Sequence, residues 1–256
     1  MNRKLNRIEI VSKKFETFVI PLRDETIGKC LFIDGYFDLD KLLKVDKLIN
    51  LKSRVLIDVG ANFGSICIPA VKRNIFAAAI AIEPDVKNFE ILRRNIYLNN
   101  LDTINAIQAA AGCNKGRLLF GTKNNNSGDS KILNKYNKTE FSQSYFVRQI
   151  TLNSLFNDNI AKNSLIWIDV QGFESRVLEG ATKFTSAKTP LVLEIFPLGL
   201  NQYSNFKKLK KSLANYSYFA NLRYNIYEPR FEPISNFEIE YNNLEKTSSF
   251  SDYLFI

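Results

Sequence analysis

The sequence predicts a single-domain α/β fold built on one mostly parallel sheet, with an antiparallel strand at its C-terminal end. Short β-branched runs alternate with segments of helical period. Several of those runs end on a carboxylate, and no stretch rich in Pro, Gly or Ser divides the 256 residues. A chain of this length, 45% hydrophobic, can bury a sizeable core.

Residues 1–50 read as a β/α cap and residues 51–256 as the core domain. In the cap, Thr17 to Leu22 and Cys30 to Phe32 are strand-like, with Gly28 and Asp34-Gly35 as turn signals. Leu39, Leu42, Leu43, Leu48 and Ile49 predict a helix from Asp38 to Leu51. Arg54 to Ile68 then reads as strand, tight turn and helix start, and Ile75 to Ile82 as a second strand. Asp85 can cap a helix reaching Asn100, with Val86, Phe89, Leu92, Ile96 and Tyr97 as its apolar stripe. Ile104 to Ala111 is a third strand, followed by a turn over Gly112 to Gly116 and a strand over Leu118 to Phe120. Lys123 to Ser130 is polar and reads as a loop.

Ser164 to Val170 is the fourth parallel strand, Phe173 to Ala181 the helix behind it, and Leu191 to Ile195 the fifth strand. The basic run Lys207-Lys208-Leu209-Lys210-Lys211 carries Phe206, Leu209 and Leu213 at helical spacing, so it predicts a solvated helix face over an apolar underside. Tyr218 to Tyr227 and Ser249 to Ile256 are the last two strands, the final one closing the sheet.

The chemistry concentrates in Asp58-Val59-Gly60-Ala61-Asn62-Phe63-Gly64. Glycine accepts positive φ and lets a ligand approach the backbone, so this turn reads as a small-molecule cradle. It lacks the third glycine of a dinucleotide turn and the lysine of a P-loop. Asp58 would repel a pyrophosphate and attract a cationic ligand that carries an amino acid, such as S-adenosylmethionine. Glu83 ends the next strand, near the spacing at which an acid accepts ribose hydroxyls in open α/β sheets. Ligands in such sheets bind beyond the carboxyl ends of the strands, where Asp58, Glu83, Asp169 and Glu194 all stand.

These residues resemble a known family. Asp58 to Gly64, Ile82-Glu83-Pro84-Asp85, Asn95, Asn99-Asn100, and Ile168-Asp169-Val170-Gln171-Gly172 with Glu174, Val177-Leu178 and Gly180-Ala181 look like the FkbM family of class I methyltransferases. The likeness runs from about Ile20 to the C-terminus. It implies a Rossmann-like class I methyltransferase sheet and S-adenosylmethionine as cofactor, bound by Asp58, Gly60, Asn62, Gly64 and Glu83. It also implies O-methylation of a hydroxyl on a sugar, glycan or secondary metabolite, as in polysaccharide biosynthesis, and gives Asn124 to Ser127 as a substrate or cofactor loop. Asp169 and Glu194 are the candidate catalytic residues, Asp169 as acid-base or acceptor-positioning group. Gln171 and Asn153 stand where the family usually has acids, which weakens any divalent metal site, and no metal is expected.

Histidine is absent, so acid-base work falls to carboxylate, lysine or tyrosine. Cys30, Cys67 and Cys113 are odd in number and lack metal spacing. No apolar run approaches the ~20 residues of a membrane span, and no signal-peptide h-region follows the basic N-terminus, so a cytoplasmic protein is expected. The net charge of +9 allows an anionic acceptor. Two other readings are a nucleic-acid methyltransferase, disfavoured because no [ND]-P-P-[YFW] segment is present, and a non-catalytic binding domain of the same fold.

Overall fold

The computed structural model describes residues 8–50, 54–123, 125–134, 141–223 and 230–256. In chain order the elements are β1 (Ile8–Ser12), β2 (Thr17–Pro21), α1 (Ile27–Ile33), α2 (Leu39–Ile49), β3 (Val55–Val59), α3 (Cys67–Lys72), β4 (Ala78–Glu83), α4 (Val86–Leu98), β5 (Ile104–Gln108), β6 (Ala110–Ala111), β7 (Gly116–Thr122), β8 (Lys131–Ile132) and β9 (Gln143–Ile150). They continue with α5 (Asp158–Lys162), β10 (Ser164–Ile168), α6 (Glu174–Glu179), α7 (Thr182–Ser186), β11 (Leu191–Ile195), α8 (Pro197–Leu200), α9 (Phe206–Ser212), β12 (Tyr218–Asn221), β13 (Glu232–Pro233), α10 (Phe237–Thr247) and β14 (Ser251–Phe255).

The main sheet runs β13-β12-β14-β11-β10-β3-β4-β5. Strands β11, β10, β3, β4 and β5 are parallel, and β14 is antiparallel to both neighbours, β11 and β12. Chain order reverses between β3 and β10, so a crevice opens at the carboxyl ends of that pair. All five residues of β10 are buried, as expected of a central strand covered on both faces. The C-terminal strand therefore does not close the sheet as expected: it lies inside it, with β12 beyond. Part of the expected strand Tyr218 to Tyr227 falls outside the described residues.

Four further points differ from expectation. Cys30 to Phe32 is helical, within α1: Asp24 Oδ1 accepts from the Thr26 and Gly28 N–H groups at the helix start, and Ile27 and Leu31 turn one buried face to the core. The run Ile104 to Ala111 breaks at Ala109, whose N–H goes to Glu83 O, and β6 enters a second sheet ordered β6-β9-β7-β8. The sequence reading assigned no strand to β9, whose exposed residues dilute the apolar signal to Val147 and its neighbours. In α4, Asn88, Ile91, Leu92 and Asn95 are buried, whereas Val86 and Tyr97 of the expected stripe face outward.

The buried asparagines explain how the N-terminal hairpin is held. Asn95 accepts from Val19 N–H (2.6 Å) and donates to Val19 O (3.2 Å), while Asn99 accepts from Thr17 N–H (2.9 Å) and donates to Thr17 O (2.7 Å). Side chains four apart on a helix are neighbours on one face, and residues two apart on a strand point the same way. Two amides thus replace a missing strand along the edge of β2. The basic helix α9 behaves as expected: Leu209 and Leu213 are buried, while Lys208 and Lys210 pair with Glu179 and Glu238.

Candidate active site

The turn after β3 is shaped by three left-handed residues, Gly60 (φ 90°), Asn62 (φ 51°) and Gly64 (φ 87°). A Cβ on Gly60 would lie 2.0 Å from the carbonyl oxygen of Asp169, so only glycine lets the two strand ends meet there. Gly60 and Ala61 N–H both donate to Ile82 O, and Asn62 N–H donates to Glu83 Oε2 at 2.8 Å. Glu83 Oε1 accepts from Asp85 N–H at 2.9 Å. One carboxyl group therefore fixes both the turn after β3 and the entry to α4.

Asp58, Gly60, Asn62, Glu83, Asp169 and Gln171 line a single cleft over the crevice. Ile82, Ala110, Phe120 and Ile132 give it an apolar wall, and Phe37, Asp38 and Trp167 line it as well. Two predicted residues stand off this wall. Gly64 packs against Ile68 and Leu92, and Glu194 is reached through Gln171, whose Nε2 donates to Asp169 Oδ1 (2.9 Å) and Glu194 Oε2 (3.2 Å). Ser127 also reaches the cleft, bonded to the Asn62 side chain at 3.3 Å and donating its N–H to Asp24 Oδ2 at 2.7 Å.

Carboxyl groups dominate the electrostatics. Burial pushes Asp58 up to about 7, against hydrogen bonds from the Cys67 thiol and backbone and with a smaller contribution from Asp169. Burial, then the charge of Asp85, raises Glu83 to about 8. Asp169 rises to about 6 through burial and the charge of Asp252, opposed by the hydrogen bond from Gln171. Glu194 is raised well above the ordinary carboxylate range by burial, Asp169, Glu174 and Asp252. The charge of Asp169 is among the causes that raise Glu194, so ionising one carboxyl group makes it harder to ionise the other.

Glu174, one of the residues that carry the family resemblance, is a turn clamp. Its Oε1 accepts from Val170 N–H (3.1 Å) and Gly172 N–H (3.0 Å), holding Gln171 in the left-handed region at φ 57°.

Sequence reasoning missed Lys41. Its Nζ lies 2.6 Å from Asp252 and 2.8 Å from Asp38, and Asp252 is the cross-strand partner of Glu194. Burial alone would lower Lys41; Asp252 and Asp38 outweigh it and hold the ammonium above its usual range. No sequence signal joins α2 to β14, because that contact exists only once the sheet has formed. Among the described residues no group of three or more acidic, cysteine or histidine side chains is placed to hold a metal.

The family model of the methyltransferase FkbM domain matches residues 58–221. The chain belongs to the FkbM methyltransferase family. Methyltransferase FkbM from Methylobacillus flagellatus KT resembles it at 17% identity and TM-score 0.47, over 80% of this chain and 44% of that one. The chain thus spans less than half the length of that relative. M. jannaschii TYW2, crystallised with AdoMet, aligns at 12% identity and TM-score 0.46 over 100% of this chain and 87% of that one. A putative tRNA (m1A22) methyltransferase of Streptococcus pneumoniae aligns at 14% identity and TM-score 0.45 over 83% and 68%. No curated protein matches by sequence.

The cofactor of this FkbM methyltransferase is S-adenosylmethionine, and the residues present fit it. Asp58 Oδ2 is buried in the cleft wall without a donor, and an unpaired buried acceptor favours a ligand that brings an N–H or a positive charge. The raised carboxyl groups around it want the same compensation.

Proposed function

We propose that this FkbM methyltransferase transfers a methyl group to a hydroxyl of a sugar, glycan or secondary metabolite. The observation that carries the reading is the Asp169–Gln171–Glu194 group beside a cleft that Asp58 and Glu83 also line. When bound, S-adenosylmethionine supplies a methyl carbon already activated by its sulfonium. Asp58 and the Gly60 turn would hold its amino-acid end, and Glu83 would accept from the ribose hydroxyls with the lone pairs its two backbone donors leave free. The apolar wall of Ile82, Phe120 and Ile132 suits a flat purine.

Holding the acceptor in line is the larger contribution, on the order of 7–11 kcal/mol. A hydroxyl acceptor must also lose a proton, and a placed base adds about 10²–10⁴ in rate. In this reading Asp169 takes that proton on its carboxylate oxygen, and Gln171 keeps Asp169 and Glu194 in register. Residues up to about 50 act as the cap of the acceptor side: Phe37 and Asp38 stand in the cleft wall and Lys41 ties α2 to Asp252.

Incubation with methyl-labelled S-adenosylmethionine and separate panels of saccharides, hydroxylated metabolites, amines and tRNA tests the proposal. Label is expected in a hydroxyl-bearing acceptor, as an ether. Label confined to tRNA would favour the nucleic-acid reading that the net charge of +9 invites, and label only on amines would remove the role given to Asp169.

A further inference from the structure

Helix α4 carries an apolar stripe that the core does not use. Val86 and Tyr97 face outward from it, Tyr97 at 81% exposure, and Arg93 and Arg94 share their groove. The N-terminal hairpin sets Ile8 and Ile10 opposite, Ile10 at 63% exposure, so that α4 and β1 form the walls of one open groove. Arg23 and Lys87 line the adjoining groove, which shares Arg94. The acids are Glu9 on β1, Glu90 on α4, and Asp24 and Asp85 in the adjoining groove, the last two buried.

A contiguous exposed apolar patch on a protein usually marks a contact surface. Here its centre is branched aliphatic with one tyrosine and its cations are mainly arginine, the pattern of an element lying in the plane of a bilayer interface. Tyrosine suits that depth because its ring is apolar and its hydroxyl stays wet. The groove is also rigid, since Asn95 and Asn99 bond the backbone of β2 to α4.

We infer that the groove between α4 and the N-terminal hairpin docks the protein on an anionic lipid bilayer. Ile8, Ile10, Val86 and Tyr97 enter the headgroup region and Arg93 and Arg94 meet lipid phosphates. No helix among the described residues is long and apolar enough to cross a membrane, so the association is peripheral.

Sedimentation of the full chain with sucrose-loaded vesicles tests this, using phosphatidylcholine alone or mixed with phosphatidylglycerol. Binding is expected only to the mixed vesicles, weakening as salt rises. It should fall about tenfold or more in both Ile10→Ser/Tyr97→Ser and Arg93→Glu/Arg94→Glu, with far-UV circular dichroism and thermal unfolding close to the parent. No sedimentation with anionic vesicles, or variants that bind as the parent does, would overturn the inference. So would a dimer seen by light scattering that Ile10→Ser/Tyr97→Ser dissolves, since the groove would then belong to a second copy of the chain.

Discussion

Glu83→Ala is expected to weaken S-adenosylmethionine at least about tenfold in isothermal titration, and to lower the melting temperature. Two effects add. The variant loses acceptors for ribose hydroxyls, each charge-assisted bond being worth roughly 1.5–3 kcal/mol, where about 1.4 kcal/mol is tenfold in affinity. It also strands the Asn62 and Asp85 N–H groups that Glu83 now satisfies, loosening the turn that carries Gly60 and the start of α4. Glu83→Gln separates the two, because it keeps an acceptor for one N–H and the volume of the side chain. An affinity for Glu83→Ala within twofold of the parent would show that Glu83 only braces the turn.

Asp169→Asn is expected to lower kcat by about 10²–10⁴, the span of a placed general base, while the dissociation constant for S-adenosylmethionine moves by no more than a few-fold. Asparagine preserves the shape and an oxygen for the Gln171 amide, so the local fold should hold. The pH profile distinguishes a base from a brace. A base works when deprotonated, so parent activity should rise with pH through about 6, the value to which burial and Asp252 push Asp169. The residual activity of Asp169→Asn should lose that limb. Full activity in the variant would sink the assignment.

The central strands could be read from sequence because a strand buried on both faces is a dense apolar run. Leu165-Ile166-Trp167-Ile168 and Leu191 to Ile195 stood out for that reason. Asp58 and Glu83 could be read because a carboxylate at the end of such a run is conspicuous. What failed was decided by contacts between distant segments. Cys30 to Phe32 is too short an apolar run to separate strand from helix. The half-exposed β9 has a weak alternation, and the polar face of α4 is buried because Asn95 and Asn99 serve β2. Lys41 meets Asp252 only through the insertion of β14 beside β11.

The carboxyl cluster also sets a pH dependence. Its members titrate higher in the fold than in the unfolded chain, so they favour folding below their unfolded values, and that contribution is lost as pH rises through about 6 to 8. A cationic ligand reverses the bias by favouring the ionised forms. Isothermal titration of S-adenosylmethionine at pH 6 and pH 8, in two buffers of different ionisation enthalpy, measures this directly. Proton release on binding at pH 6 and affinity about tenfold tighter at pH 8, the effect of one carboxyl group with a value near 7, are the predicted results. Equal affinity at both pH values with no proton released, or no binding at either, would contradict a cofactor seated against Asp58 and Glu83.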